Sequence, residues 1–117
     1  MTITPAGLIG PVQIANAAAA VYTAPVNTTV VFTRAVVTNV TAGAATLKLW
    51  LVRSGGARAD ANIIFGAAAA GQAIAAGPVE PTVLAVMAGL VLRPGDAVHG
   101  LSDTATALNI VASGWTQ

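Results

Sequence analysis

The chain has 117 residues, of which 56% are hydrophobic, 4% aromatic and 8% charged, with five Lys and Arg against four Asp and Glu. The net charge of +1 excludes a nucleic-acid binder that works through a basic field, since neutralising even about six phosphates needs more cations than the chain holds. The hydrophobic content excludes an acidic disordered tail, and zero cysteines exclude a disulfide framework, thiolate zinc and a cysteine nucleophile.

Residues 1–11 (MTITPAGLIGP) read as an extended arm with no periodicity. Met1 to Thr33 carries no charged residue, so the basic region of a signal peptide is missing, and Pro5, Pro11 and Pro25 break any apolar helix there. Val12 to Asn16 and Ala19 to Thr23 are short candidate strands. Ala17 to Ala20 favours helix, but four residues are too few for an isolated one, and Val21, Tyr22 and Thr23 favour strand. Pro25-Val26-Asn27 is a turn.

Thr28 to Asn39 is the longest β signal, with Val30, Phe32 and Val36 on one face and Val31, Ala35 and Val37 on the other. Both faces are apolar, which predicts that both are covered. After a loop at Thr41 to Ala44, Thr46 to Arg53 alternates. Leu47, Leu49 and Leu51 should face the core, and Lys48, Trp50 and Val52 the other side. Ser54 to Asn62 is the most polar loop, and Ile63 to Phe65 a short strand. Ala61 to Val79 is uncharged and as long as a membrane span. Its glycines, Asn62 and Gln72 point instead to short strands joined by an Ala/Gly loop, with Ala67 to Gly77 open between strand, loop and short helix.

Val83 to Met87 is a strand introduced by Pro78 and Pro81. Leu90 to Leu92 and Ala97 to Leu101 read as a hairpin around Arg93-Pro94-Gly95-Asp96, a type II turn sequence. In Ala107 to Trp115, Leu108, Ile110 and Ala112 lie on one side and Val111, Ser113 and Trp115 on the other. About eight to ten short strands, punctuated by turn residues every ~8–12 positions, define an all-β single-domain sandwich or barrel. A jelly roll fits the length. The division is 1–20 for the arm and first short strand and 21–117 for the β-sandwich.

No constellation of catalytic residues stands out. Asp96, His99 and Ser102 are the nearest to a triad, but a spacing of three puts Asp96 and His99 on opposite faces of a strand. A lone His without cysteine is a poor metal site, and Asp60 with Asn62 supplies too few oxygens for calcium. Ser54-Gly55-Gly56 lacks the ending of a phosphate loop. The expectation is therefore no enzyme, no cofactor and no metal. Asn27-Thr28-Thr29 and Asn39-Val40-Thr41 match the glycosylation pattern by chance. Trp50, Trp115 and Tyr22 are too few for a sugar platform and better suited to a core or interface. A sandwich of this size exposes roughly a third of its unfolded surface. With so little charge to cover it, other chains should. The contact candidates are Ile3, Leu8 and Ile9 in the arm, Arg53, Arg58 and Asp60 around the polar loop, and Trp50 and Trp115.

The run Val21 to Thr29 leads into a strand ending at Asn39. Ala44 to Val52, Ser54-Gly55-Gly56, Ala59 to Asn62, Leu90 to Asp96 and Val111 to Gly114 then follow in order. Together these resemble the small β-sandwich virion proteins of tailed bacteriophages, over residues 20–115. The resemblance implies a capsid decoration (cement) protein on the virion surface, made in the bacterial host cytoplasm. Its partners would be the major capsid protein and itself, as a homotrimer, with no nucleic acid and no membrane. The alternative it implies is a tail, collar or fibre-associated protein that recognises host glycans. The family offers no catalytic residues. An extended arm could add a strand to a neighbour's sheet edge.

Overall fold

The computed structural model describes residues 3–76 and 82–117. Met1 and Thr2 of the arm lie outside the described residues. So do Gly77, Pro78, Val79 and Pro81, which entered the readings of the Ala/Gly segment and the strand after it. The chain forms β1 (Thr4–Gln13), β2 (Ala19–Thr23), β3 (Val30–Asn39), β4 (Ala45–Val52), β5 (Ile63–Phe65), β6 (Gln72–Ile74), β7 (Thr82–Val83), β8 (Val91–Leu92), β9 (Ala97–Ser102) and β10 (Leu108–Thr116). Single 3-10 turns at Asp60–Asn62 and Ala85–Met87 complete it.

Two antiparallel sheets face each other. The first runs β1-β10-β3, with β7 and β8 both on the far edge of β3. The second runs β2-β9-β4, with β5 and β6 both on the far edge of β4. Each broken edge counts as one strand position, so each sheet has four. Successive positions are shared between the sheets in the order of a jelly roll, an eight-position sandwich of two Greek keys. The all-β sandwich expected from the strand spacing is the observed architecture.

The core lies between the sheets. Phe32, Val30 and Val37 of β3, Leu47 and Leu49 of β4, Val98 of β9, and Leu108 and Ile110 of β10 are fully buried there. Each large side chain stabilises the fold by about 1.5–3 kcal/mol through the area it removes from water. Tyr22 sets its ring edge-on to Phe32, with 5.8 Å between centroids. The 3-10 turn at Ala85–Met87 plugs one flank with Leu84 and Met87.

The alternation in β3 reverses midway. Val30 and Phe32 are buried, then Ala35, Val37 and Asn39. The register with β10 skips Thr33, because Ser113 pairs with Arg34 and Gly114 with Phe32. This bulge brings both apolar halves of β3 to one core, so the outer face is not a second buried one. Gly114 makes the bulge possible. A Cβ there would fall inside the carbonyl oxygen of Val31 and crowd the Phe32 backbone.

Four readings change. The arm is extended, but it is docked as edge strand β1 of its own first sheet, and Ile9 and Ile14 enter the core. The division at residue 20 therefore falls inside β2 and separates nothing. Leu90–Leu92 and Ala97–Leu101 are not a hairpin, because β8 pairs with β3 in one sheet and β9 with β4 in the other. The turn between them forms as expected, with Asp96 N–H on Arg93 O at 3.0 Å and Gly95 at φ +85°, but it is a corner that carries the chain across the core. Val83–Met87 is a two-residue strand followed by a 3-10 turn. Within the open segment, Gly71 N–H closes a turn on Ala67 O at 2.7 Å before β6.

Candidate functional site

Three surfaces carry the sequence candidates. The first is the end of the sandwich where the corner of residues 93–96 meets the turns of residues 24–29 and 53–56. Asp96 is 1% exposed. Its carboxylate accepts hydrogen bonds from Arg53 Nη1 (2.5 Å), Ser54 N–H (2.9 Å) and Arg93 N–H (3.0 Å). Burial by itself raises the Asp96 pKa; the Ser54 N–H, the Arg53 guanidinium and the Arg93 N–H outweigh it and hold the carboxyl below its ordinary value. The main chain joins the same node, with Ala24 N–H on Asp96 O and Gly95 N–H on Ala24 O. The result is a stiff end that presents Val26 and the outer edges of Arg53 and Arg93.

The second surface is the outside of the sheet built on β4 and β9. Trp50 points outward, as its alternation predicts, but it is only 6% exposed. The polar loop folds back over it. The Arg58 guanidinium lies 5.6 Å from the Trp50 ring centroid, and Arg58 Nη1 is 2.9 Å from His99 Nδ1. A cation over an aromatic face is favourable. Because Arg58 has only donors, Nδ1 accepts and the neutral ring carries its proton on Nε2. Burial first, then the Arg58 charge, lower the His99 pKa. Asn62 Nδ2 donates to Ala57 O (2.8 Å) and helps hold the loop in place. Asp60 sits exposed at the start of its 3-10 turn, with no ion pair among the described residues. Trp50 and Arg58 thus serve each other, and the chain's own loop covers the middle of this face.

The third surface is the outside of the sheet built on β3 and β10, and no loop of the described residues crosses it. Directly opposed residues build two apolar rows across it. One is Val91, Val31, Trp115 and Pro5; the other is Val83, Val36 and Val111. Val83, Val91 and Val111 are 52%, 44% and 40% exposed. Between the rows, Arg34 lies beside Ser113 and Gly7. Two shallow hollows mark the face. One is bordered by Arg34, Val36, Val111 and Ser113, the other by Pro11, Thr38, Asn109 and Val111. Arg34 is the only ionisable side chain on this face among the described residues.

The eight contact candidates therefore scatter. Ile3 is exposed just before β1, on the edge of the first sheet away from Arg53, which reaches Val91 O of β8. Leu8 is half-buried and Ile9 is 3% exposed in the core, because β1 is docked rather than free. Trp50, Arg58 and Asp60 belong to the self-covered face, and Trp115 alone stands on the open one. The valine rows were missed. Which strands lie side by side, and so which valines face one another, comes only from the fold.

Asp96, His99 and Ser102 do not meet. Asp96 serves Arg53, His99 faces Arg58, and Ser102, itself buried, donates from Oγ to Thr104 O at 2.9 Å in the loop after β9. Among the described residues no cluster of three His, Asp or Glu could hold a metal, and no helix is long and apolar enough to cross a membrane. The fold and these surfaces define a jelly-roll sandwich with one face covered at its middle by its own loop and the other open. No family model, curated protein or solved structure matches the chain.

Proposed function

We propose that this protein is a structural component of a tailed-bacteriophage virion: a decoration protein that binds the assembled head and stabilises it, with no catalytic role. The observation that carries the reading is the open outer face of the β3–β10 sheet. It carries two rows of valines with Trp115, set among Ser113, Thr38 and Asn109, with Arg34 as its one charge among the described residues. Neighbouring exposed valines rimmed by polar residues are the composition of a contact surface. The resemblance of the sequence to phage virion proteins supplies the setting, and a jelly roll is a common shell architecture.

The stiff Asp96 end is the part suited to the major capsid protein. Val26, Arg53 and Arg93 sit there on turns tied to Asp96, a platform that loses little freedom on binding. A ligand that engages only the assembled shell stabilises it by mass action, by about 2.7 kcal/mol at a hundredfold excess over Kd. Quantitative mass spectrometry of purified particles tests the reading. It predicts a copy number comparable to that of the major capsid protein. A handful of copies per particle would move the protein to the tail, collar or fibre, and none would remove it from the virion.

A further inference from the structure

We infer that residues 55–61 form an acid-released flap: a proton on His99 detaches Arg58 and frees the polar loop from Trp50 while the sandwich stays folded. The attachment of the loop is the starting point. Gly56 N–H donates to Arg53 O, Asn62 N–H to Ala59 O, Asn62 Nδ2 to Ala57 O and Ile63 N–H to Asp60 O, all within the loop and its two ends. Among the described residues, the one hydrogen bond from residues 55–61 to the sheet joins Arg58 Nη1 to His99 Nδ1, at 2.9 Å. The same guanidinium covers Trp50. The rest of the flap is glycine, alanine and Asp60, so no large apolar side chain holds it down.

The chemistry of that bond is the second argument. Arg58 can only donate, so the bond exists only while Nδ1 is free of a proton. The imidazolium has two N–H donors and a charge of the same sign as the guanidinium. One proton therefore turns an acceptor into a repelling donor.

The neighbours of His99 do not offset this. Across the sheet it lies between Trp50 and Ala20. Lys48, one row along β4, adds a second cation and donates to Ala68 O. On β2, Tyr22 turns its ring to Phe32 in the core, and β5 brings the uncharged Ile63 beside Trp50. Asp60 is exposed and makes no ion pair among the described residues. Asp96 is taken by Arg53 and Arg93, and Asp103 accepts from Thr46 N–H at the opposite end of β4.

The ends of the flap are the third argument. Ser54 N–H is fixed on Asp96, and β5 pairs with β4 from Ile63 onward. Between the first anchor and the flap stands Gly55, at φ +78° with open space around it. A glycine pair next to a fixed residue lets the segment turn without disturbing the sheet.

Acrylamide quenching of tryptophan fluorescence between about pH 8 and 5 tests the inference. A Trp115→Phe background leaves Trp50 as the sole tryptophan. Quenching should rise several-fold as pH falls, with a midpoint below the ordinary histidine value of 6.5, and should reverse on neutralisation. Far-ultraviolet circular dichroism should stay constant. His99→Asn places an amide oxygen where Nδ1 accepted, at every pH, and should keep Trp50 shielded throughout. Arg58→Ala, at an exposed position, should leave Trp50 open to quencher across the whole range. If Trp115→Phe fails to fold, the unaltered chain and its His99→Asn variant give the same difference above a constant Trp115 signal. Quenching that ignores pH overturns the inference. So does an unchanged pH dependence in His99→Asn, or a Trp50 that stays shielded at the alkaline end in Arg58→Ala. A rise that comes with loss of the dichroism signal also overturns it, because the whole sandwich would then be opening.

Discussion

Replacing Asp96 with Asn tests the account of the stiff end most sharply. The substitution keeps the shape and removes the charge. One amide oxygen can still accept from Ser54 N–H. The amide nitrogen then stands where Oδ2 received Arg53 Nη1 and Arg93 N–H, so donor faces donor. A hydrogen bond to a charged group is worth about 1.5–3 kcal/mol. The Arg53 share lies at the low end because its side chain is 48% exposed. Losing both bonds and leaving a buried N–H unpaired should cost about 3–4 kcal/mol. At this chain length that lowers Tm by roughly 12–16 °C.

Urea denaturation at pH 7 measures the loss, and repeating it against pH isolates the carboxylate. The folded-state pKa of Asp96 is below the ordinary value of 3.8. The unfolded chain therefore takes up its proton first as pH falls. The contribution is complete above that value and is lost as pH drops through the folded pKa. Wild-type protein should weaken in that acid window, and the Asn variant should lack the Asp96 part of the fall. A loss below about 1 kcal/mol at pH 7 would refute the view that this node holds the end together.

His99 gives a second window of the same sign at higher pH. Its folded-state pKa lies below the ordinary 6.5, so the unfolded chain binds the proton more readily and stability falls as pH drops below about 6.5. His99→Gln should flatten the melting temperature between about pH 5 and 7, and tryptophan fluorescence should report the loosening over Trp50. Gly114→Ala drives a methyl into the Val31 carbonyl at the bulge and should cost about 3 kcal/mol or more by urea denaturation. Asn39 is 4% exposed; its amide donates to Ile74 O (3.0 Å) and Gly43 O (2.9 Å), and Asn39 Oδ1 accepts from Thr41 N–H. Asn39→Ala should cost about 2–3 kcal/mol, with faster hydrogen exchange at the 40–44 loop and at β6.

Where one strand meets one core face, the sequence was enough. Leu47 and Leu49, and Leu108, Ile110 and Ala112, alternate as a half-buried strand must, and all are buried. The Pro94-Gly95 turn was equally legible, because φ restriction and φ freedom are local properties. What failed needed knowledge of the partner strand. The reversal in β3 depends on Gly114, which is 80 residues beyond Arg34 and leaves no mark in the alternation of β3 itself. β1 hid behind Pro5, Pro11, Gly7 and Gly10, the residues that blunt an edge strand. β8 and β9 are neighbours in sequence, and nothing local says that they belong to different sheets.

The candidate site divides in the same way. Scarcity of charge announced that something must cover the surface, but not which part. Trp50 was read correctly as facing away from the core. Its cover, Arg58, comes from its own loop, which alternation cannot show. The open face is assembled from β3, β7, β8, β10 and β1, five segments whose valines become a patch only when the register is known.

The most direct test of the account is add-back. Phage heads lacking this protein are mixed with the purified chain, and binding and the temperature of DNA release are measured. Saturable binding at many sites per head, with release moved to higher temperature, is the result predicted. Heads that take up none of the protein and release their DNA at an unchanged temperature would contradict it.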